Sequence, residues 1–208
     1  MAKKAFHSFL ISITITSLLL IFFNIGLFKT WQDKLSDSLF KQRPPSSQIV
    51  IIAIDDASLQ KIGRWPWSRS IHAKLLENLS NDKFKPKVIG FDISFFEKES
   101  LETDNRFMLA IETSKNVVLA SENPLSPLLA IELFRKSARS GFVDIIADTD
   151  GLTRKYKVAN SFAAEILKIY LKKVDTLSTL SEVEREESEK PGIFRINFVG
   201  KPGSFLTI

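Results

Sequence analysis

The longest apolar run in the chain covers residues 9–28, twenty positions without a charged side chain. A helix rises about 1.5 Å per residue, so this run would extend about 30 Å, which is the thickness of the hydrocarbon core of a bilayer. The run therefore predicts a single transmembrane helix. Its polar members can hydrogen-bond back to the helix backbone, and they are Ser12, Thr14, Thr16 and Ser17.

Two other interpretations of this run remain open, a cleaved signal peptide and a buried core helix. Signal peptides also begin with positive residues, and Lys3 and Lys4 precede the run. However, the run is longer than the apolar part of a signal peptide, and no small-x-small cleavage site follows it promptly. Basic residues flank both ends, so charge gives no orientation. The shortness of segment 1–8 favours a cytoplasmic tail, with a folded domain on the other side of the membrane.

After the membrane helix, the pattern predicts a stalk over residues 29–45 and a folded domain over residues 46–208. The stalk continues as a helix to residue 42, and a Pro-Pro-Ser-Ser run then ends it. One face of this helix carries apolar side chains at a spacing of four residues. They form a stripe through which two copies of the chain could pair as a homodimer, and they are Trp31, Leu35 and Leu39.

Short apolar runs alternate with helical patterns in the first two thirds of the domain. Continuous runs rich in β-branched residues are typical of strands that are covered on both faces, and they occupy residues 49–54, 87–91 and 116–120. Helical patterns start near Ser70, at a cap formed by Asp104, and at Ser126-Pro127, where Gly141 would close the helix. This alternation with short connections predicts a largely parallel sheet.

The last third of the domain has a different pattern. It predicts two strands joined by an Asp-Gly turn, then a helix, a polar acidic loop, a strand and a turn, at residues 142–146, 153–158, 161–173, 178–190, 193–199 and 202–203. The expected fold class is therefore α/β. A mostly parallel sheet covered by helices carries a β-hairpin and is preceded by one N-terminal transmembrane helix.

Carboxylates follow the ends of the predicted parallel strands. Asp55 and Asp56 come directly after the first strand, and Asp92 comes after the second. The carboxyl ends of parallel strands meet at one edge of a sheet, which is the usual ligand crevice of open α/β folds. With Asp148 and Asp150 of the hairpin, they are candidates to bind a ligand or to hold Mg²⁺ or Ca²⁺. The alternative is structural, because aspartates also cap helices and bind loop amides.

The segment Gly-Arg-Trp-Pro-Trp-Ser-Arg is the most unusual in the sequence. Two tryptophans between two arginines could clamp an anionic or aromatic ligand, and these candidates are Arg64, Trp65, Trp67 and Arg69. Alternatively, it is a rigid loop whose rings cover the end of the sheet and whose serine caps the next helix. His72 has no second histidine near it in sequence, so we expect neither a histidine metal site nor a histidine general base.

Composition narrows the functional classes. A hydrophobic fraction of 44% and a charged fraction of 25% exclude a disordered or fibrous chain. The net charge of +5, without a run of five basic residues, gives no support for a nucleic-acid partner. The sequence has no cysteine, which excludes a disulfide scaffold, a zinc ribbon and a cysteine nucleophile. The P-loop, GxGxxG, GxSxG and HExxH motifs are also missing, which favours a receptor domain over an enzyme.

Several segments in one order resemble the second type of CHASE domain, the cyclase/histidine-kinase-associated sensing extracellular domain. They are IVIIAIDDASLQKIGRWPWSRSIHAKLLENL (49–79), KVIGFDISFFE (87–97), NVVLA (116–120), GFV (141–143), DTDGLTRK (148–155) and INFVGKPGSF (196–205). The stalk segment 37–40 and Arg43 are similar to the entry helix of that family. The resemblance covers residues 31–208, and the GRWPW and DD elements make it specific.

The resemblance implies a bacterial receptor with an extracytoplasmic sensory domain, anchored in the plasma (inner) membrane by a single pass. Its partners would be the lipid bilayer and an unknown small-molecule signal, and no cofactor is implied. A cyclase or kinase outside this chain would carry the output, and the family layout leads us to expect a chain cut short after residue 208. A competing hypothesis is a membrane-bound phosphoesterase that uses Asp55, Asp56, Asp92 and a divalent metal. A decayed gene product without an independent role is a third.

Overall fold

A computed structural model of the chain describes residues 2–39, 43–81, 85–122, 132–143, 145–148, 150–157, 159–171, 193–196 and 206–207. These residues belong to two units. The first unit comprises Met1–Ile51, Thr149–Leu152 and Asn197–Ile208, and the second comprises Ile52–Asp148 and Thr153–Ile196. Three sequence predictions lie outside the described residues: the helix start at Ser126-Pro127, the polar loop 178–190 and the turn at 202–203.

In the first unit, the N-terminal apolar run forms helix α1, Ala2–Asn24. The side-chain amide of Asn24 donates a hydrogen bond of 2.8 Å to the carbonyl of Leu20, so this polar group has a partner within its own helix. The segment Lys3–Asn24 is long and apolar enough to cross a membrane, with a mean hydropathy of 2.1. A signal sequence near an N-terminus has the same properties.

A turn at Gly26, where φ is 78°, separates α1 from the stalk helix α2, Lys29–Ser38. The predicted stalk is therefore helical, although α2 ends before position 42. Its apolar stripe lies on the surface of the chain, with exposed fractions of 76% for Trp31, 66% for Leu35 and 74% for Leu39.

Strand β1 is much shorter than the predicted strand 49–54. It comprises only Val50–Ile51 and pairs in parallel with strand β8, Leu206–Thr207. The large side chains of the predicted strand stay 40–52% exposed. The prediction of a long strand buried on both faces is therefore wrong, because burial requires covering elements that a β-branched run cannot supply by itself. The described partner of β1 is a strand of two residues.

The second unit contains a parallel sheet in the order β2-β3-β4, with β2 at Ile89–Phe91, β3 at Val117–Ser121 and β4 at Arg139–Phe142. All five residues of the central strand β3 are buried, as expected for a strand covered on both faces. Burying each large side chain of the core contributes about 1.5–3 kcal/mol. The fully buried ones are Phe107, Phe134, Leu76, Ile111, Leu119 and Val118.

Besides the short helix α3 at Asp56–Ile62, four described helices belong to this second unit. They are α4 at Arg69–Leu79, α5 at Leu101–Ser114, α6 at Glu132–Ser137 and α7 at Phe162–Leu171. Serines cap α4 and α5: Ser68 accepts from the backbone N–H of Ser70, and Ser100 accepts from that of Thr103. The prediction that Asp104 caps α5 is therefore wrong. Ser100, the residue directly before the helix, supplies the capping oxygen, and Asp104 lies one turn inside the helix.

Gly141 lies in strand β4, so the prediction that it ends a helix is wrong. Helix α7 passes so close to it that an added Cβ would lie 2.5 Å from the Cα of Phe162 and 2.7 Å from the carbonyl carbon of Ser161. Arg139 of β4 and Glu165 of α7 form an ion pair of 3.2 Å at the same contact. Glycine is therefore needed at this position because it lets the backbones of β4 and α7 approach closely, and not because it adopts a left-handed turn.

The predicted β-hairpin is present as a small antiparallel pair, β5 at Ile145–Ala147 and β6 at Thr153–Lys157. Gly151 lies in the connection with φ of 80°, as an Asp-Gly turn requires. Strand β7, Ile193–Arg195, extends the pair to three antiparallel strands. The described architecture is thus mixed α/β, with a parallel sheet and a separate antiparallel one.

Candidate functional site

Asp55 and Asp56 open a helix that the sequence pattern did not indicate, α3 at Asp56–Ile62. The carboxylate of Asp55 caps this helix, accepting 2.8 Å from the backbone N–H of Ser58 and 2.6 Å from its hydroxyl. These hydrogen bonds from Ser58 lower the pKa of the fully exposed Asp55 carboxyl. The negative charge of Asp56, in the first turn, interacts favourably with the positive end of the helix dipole. Asp55 thus caps α3, and Asp56 lies in the first turn of the same helix.

Residues 63–68, here called the tryptophan loop, connect α3 to α4 and present an exposed aromatic ring beside an exposed arginine. Trp65 is 38% exposed, and Arg64 next to it is also exposed. The indole of Trp67 donates a hydrogen bond of 2.8 Å to the carbonyl of Gly63, which closes the loop on itself. The two rings meet edge to face, with centroids 5.6 Å apart. This arrangement leaves one indole and one guanidinium accessible to a ligand.

Arg69 does not face solvent with Arg64. Its guanidinium is buried, and its Nε lies 3.2 Å from Asp104 Oδ1 while a terminal nitrogen lies 3.6 Å from Glu99. It also donates to the backbone carbonyl of Glu97 and lies over the ring of Phe134, 5.5 Å from the centroid. The arginine therefore connects α4 to α5 and to the segment before α5, and its donors are directed into the domain.

Glu99 is held in its charged form by this network. Burial alone would raise the pKa of its carboxyl, but the backbone N–H of Arg69, the hydroxyl of Ser68 and the guanidinium charge keep that pKa below its usual value. The backbone hydrogen bond from Arg69 measures 2.8 Å. The start of helix α4 is thus fixed by a carboxylate that lies thirty residues later in the chain.

His72, one turn after Arg69 on α4, is only 3% exposed and is surrounded by aromatic rings. Its centroid lies 5.4–6.0 Å from the centroids of four rings. Burial lowers the pKa of its imidazole, the charge of Arg69 lowers it further, and Glu99 offsets part of this effect. The rings are Trp65, Phe91, Phe95 and Phe107.

The remaining predicted aspartates lie in different surroundings. Asp148 is buried at its side chain and pairs with Arg154 of β6 at 3.1 Å. Asp150 accepts a hydrogen bond of 3.2 Å from the backbone N–H of Leu152. Asp92 is exposed after β2. Strand β1 pairs with β8 and not with β2 in the described sheets, so the common sheet edge expected to join Asp92 to Asp55 is not seen there.

No group of three or more His, Asp or Glu side chains that could hold a metal ion occurs within the residues that the structure describes. The divalent-metal hypothesis rested on carboxylates meeting at one sheet edge. Two of them instead have partners of their own, because Asp55 caps α3 and Asp148 pairs with an arginine. The phosphoesterase hypothesis thus has no described metal centre on which to build.

Sequence reasoning missed the residues that join the tryptophan loop to the core. Glu99 and Asp104 are about thirty residues from Arg69 in sequence, and nothing in their spacing marks them as its partners. His72 was discounted because it has no second histidine. The sequence is rich in phenylalanine, which supplies 17 of the 208 residues. Three of these residues, Phe91, Phe95 and Phe107, lie around the imidazole.

Comparisons with known proteins give the family of the chain. A family model described as the CHASE2 domain matches residues 13–208, which include most of both units. No curated protein matches the chain, and no solved structure does. The family model begins inside helix α1 and continues past the tryptophan loop, the parallel sheet and the hairpin. The chain therefore belongs to the CHASE2 family of extracellular sensory domains.

Proposed function

We propose that the chain is the signal-input part of a membrane receptor. Helix α1 anchors it, the second unit lies outside the cytoplasm, and a small molecule bound there changes an output that a cyclase or kinase outside residues 1–208 carries. The single observation that carries this proposal is the CHASE2 match over residues 13–208, which joins an apolar helix and an α/β unit in one family model.

The tryptophan loop is the proposed ligand contact. Trp65 offers an accessible indole, and the neighbouring Arg64 offers five donors and a positive charge. An anionic group with an aromatic or apolar part would satisfy both side chains. Arg69, which is engaged with Asp104 and Glu99, contributes to this site only by fixing the start of α4 after the loop.

Replacement of the exposed indole tests this assignment. In the receptor that carries this segment, we expect Trp65→Ala to change the output, measured as cyclic nucleotide or phosphoprotein, while the free energy of unfolding of the domain changes little. Phe96→Ala is the matched control, because Phe96 is an aromatic side chain that is 40% exposed in the same unit and is not one of the rings that contact Trp65. Parallel loss of stability and output in Trp65→Ala, or equal effects of both variants, would contradict the ligand assignment.

The stalk is the proposed homodimer contact. Trp31 and Leu35 expose 76% and 66% of their surfaces on one face of α2, and a second copy of the same stripe would remove both from water. Two paired stalks would also have alternative arrangements between which a bound signal can shift the population.

Cysteine cross-linking tests the stalk contact cleanly, because the chain has no cysteine of its own. We expect Leu35→Cys to form disulfide-linked dimers in membranes under mild oxidation. Thr30→Cys is the control, because Thr30 is exposed on the same helix but lies about 140° around the helix axis from Leu35. Equal cross-linking of both variants would indicate random collision, and no cross-linking of Leu35→Cys would remove the stalk dimer.

A further inference from the structure

His72 is a titratable group enclosed in an apolar environment that has one exposed side. Three of its neighbouring rings belong to the core, since Phe91 and Phe95 are each 5% exposed and Phe107 is fully buried. The fourth neighbour, Trp65, is 38% exposed, and its centroid lies 5.9 Å from that of the imidazole. Of these four rings, only the indole lies between the imidazole and solvent. The tryptophan loop is therefore the neighbouring element whose movement would admit water to His72.

The charged groups around this imidazole do not supply it with a free carboxylate. Helix α4 contributes Arg69, one turn earlier, and the segment before α5 contributes Glu99. Helix α5 contributes Asp104, which lies against Arg69 at 3.2 Å. From the tryptophan loop and from the end of β2 come Arg64 and Asp92, both exposed. Only Asp104 of these two carboxylates is buried, and both contact the guanidinium of Arg69. Among the described residues neither forms an ion pair or hydrogen bond with His72, so an imidazolium there would have no carboxylate in direct contact.

We propose that His72 and Trp65 form an acid-sensitive latch, in which protonation of the imidazole releases the tryptophan loop from the core. Phenylalanine rings solvate an imidazolium poorly and the cation one turn away repels it, whereas water solvates it well. The loop is the element able to yield, because Trp65 meets the imidazole through a ring contact and the indole hydrogen bond of Trp67 stays within the loop. Phe91, Phe95 and Phe107 instead belong to the packed core.

The direction of the pH dependence follows from burial. The pKa of His72 in the closed arrangement is lower than its ordinary value of 6.5, so the open arrangement binds the proton more readily. The latch is fully closed above that ordinary value. It weakens progressively as the pH falls below 6.5 and toward the depressed pKa. Mild acid outside the cell would thus expose the same indole that we propose as the ligand contact, although the latch itself does not depend on any ligand.

Fluorescence of a single tryptophan reports on the latch in the full chain. Trp31→Phe and Trp67→Phe leave Trp65 as the only indole, and the chain is reconstituted in nanodiscs of uncharged lipid. Between about pH 8 and about pH 5 we expect a red shift of emission and increased quenching by acrylamide, with a midpoint below that of a free histidine. His72→Phe should abolish the transition. His7→Gln, which replaces the other histidine, should leave it unchanged.

Two further measurements keep the test decisive if His72→Phe fails to fold. The Hε1 resonance of His72 is titrated by NMR in the single-tryptophan chain, and circular dichroism follows its helix content. Coincident midpoints for the resonance and the emission, with helix content constant, support the latch. The proposal is overturned if the emission changes without titration of His72, if His72 titrates with no change at Trp65, or if helix content falls at the same midpoint.

Discussion

Two ion pairs cross between helices α4 and α5, one buried and one exposed, and the guanidinium of the exposed pair also donates hydrogen bonds to both carboxylate oxygens. In the Arg69–Asp104 pair the side chains are 10% and 6% exposed, and Nε lies 3.2 Å from Oδ1. In the Arg106–Glu77 pair they are 50% and 49% exposed, and the nitrogen–oxygen distance is 3.3 Å. Because the helices, the charge types and the distances match, the exposed pair is a control for the buried one.

We expect Asp104→Ala to lower the free energy of unfolding by about 3 kcal/mol, at the lower end of the range of about 3–5 kcal/mol for breaking a buried pair. The lower end applies because Arg69 keeps Glu99 at 3.6 Å and the carbonyl of Glu97. For Arg106→Ala we expect a loss of about 0.2–1 kcal/mol, because water and salt already screen the exposed pair.

Urea denaturation of the full chain in mild detergent, followed by circular dichroism, gives both values. A double-mutant cycle of Arg69→Met with Asp104→Ala then isolates the coupling between the two side chains, since each also contacts other groups. A loss for Asp104→Ala no larger than that for Arg106→Ala would refute the reasoning that burial decides the strength of these pairs.

Three further predictions follow from single contacts. Gly141→Ala should lower the free energy of unfolding by about 1–3 kcal/mol in urea denaturation, because the new Cβ meets the backbone of Phe162; an unchanged midpoint would show that α7 does not approach β4 so closely. Ser58→Ala removes the hydroxyl hydrogen bond and leaves the backbone one, so it should raise the pKa of Asp55 part of the way back toward 3.8 in a carboxyl NMR titration; no change would mean that the hydroxyl hydrogen bond is absent. Because the pKa of Glu99 is lowered, its stabilising contribution is present above its unfolded value of 4.5 and is lost as the pH falls through the native value. Urea midpoints of wild type and Glu99→Gln should therefore converge on acidification, and a constant difference would contradict this.

The local sequence pattern predicted correctly those elements whose place in the fold requires a regular series of apolar residues or a specific turn dipeptide. The run NVVLA predicted strand β3, because a central parallel strand must be apolar at every position. Spacing of apolar residues after Ser70 predicted α4, which the structure places one residue earlier because Ser68 supplies the cap. The Asp-Gly turn predicted the hairpin of β5 and β6, since few other dipeptides fit its backbone angles.

Pattern was insufficient wherever a residue's role depends on distant partners. Residues 49–54 have the composition of a buried strand but remain exposed, since the covering elements are not encoded in the run. Arg69 has the same residue type as Arg64, and only the fold places carboxylates against one of them. Gly141 was read as a helix end, although its function is to admit the backbone of α7. In each case the missing information was a contact between elements.

The central claim is that helix α1 anchors the chain in a membrane with the CHASE2 domain on the outer side. Labelling with a membrane-impermeant maleimide tests it directly, because the chain has no cysteine. Ala5→Cys marks the N-terminal segment and Asn105→Cys marks an exposed position of α5. We expect Asn105→Cys to react in intact cells and Ala5→Cys to react only after permeabilisation. We also expect the labelled Ala5→Cys to migrate with the full-length chain, because the N-terminal helix is not cleaved. Labelling of Ala5→Cys in intact cells, protection of Asn105→Cys, or loss of the N-terminal cysteine by cleavage would contradict it.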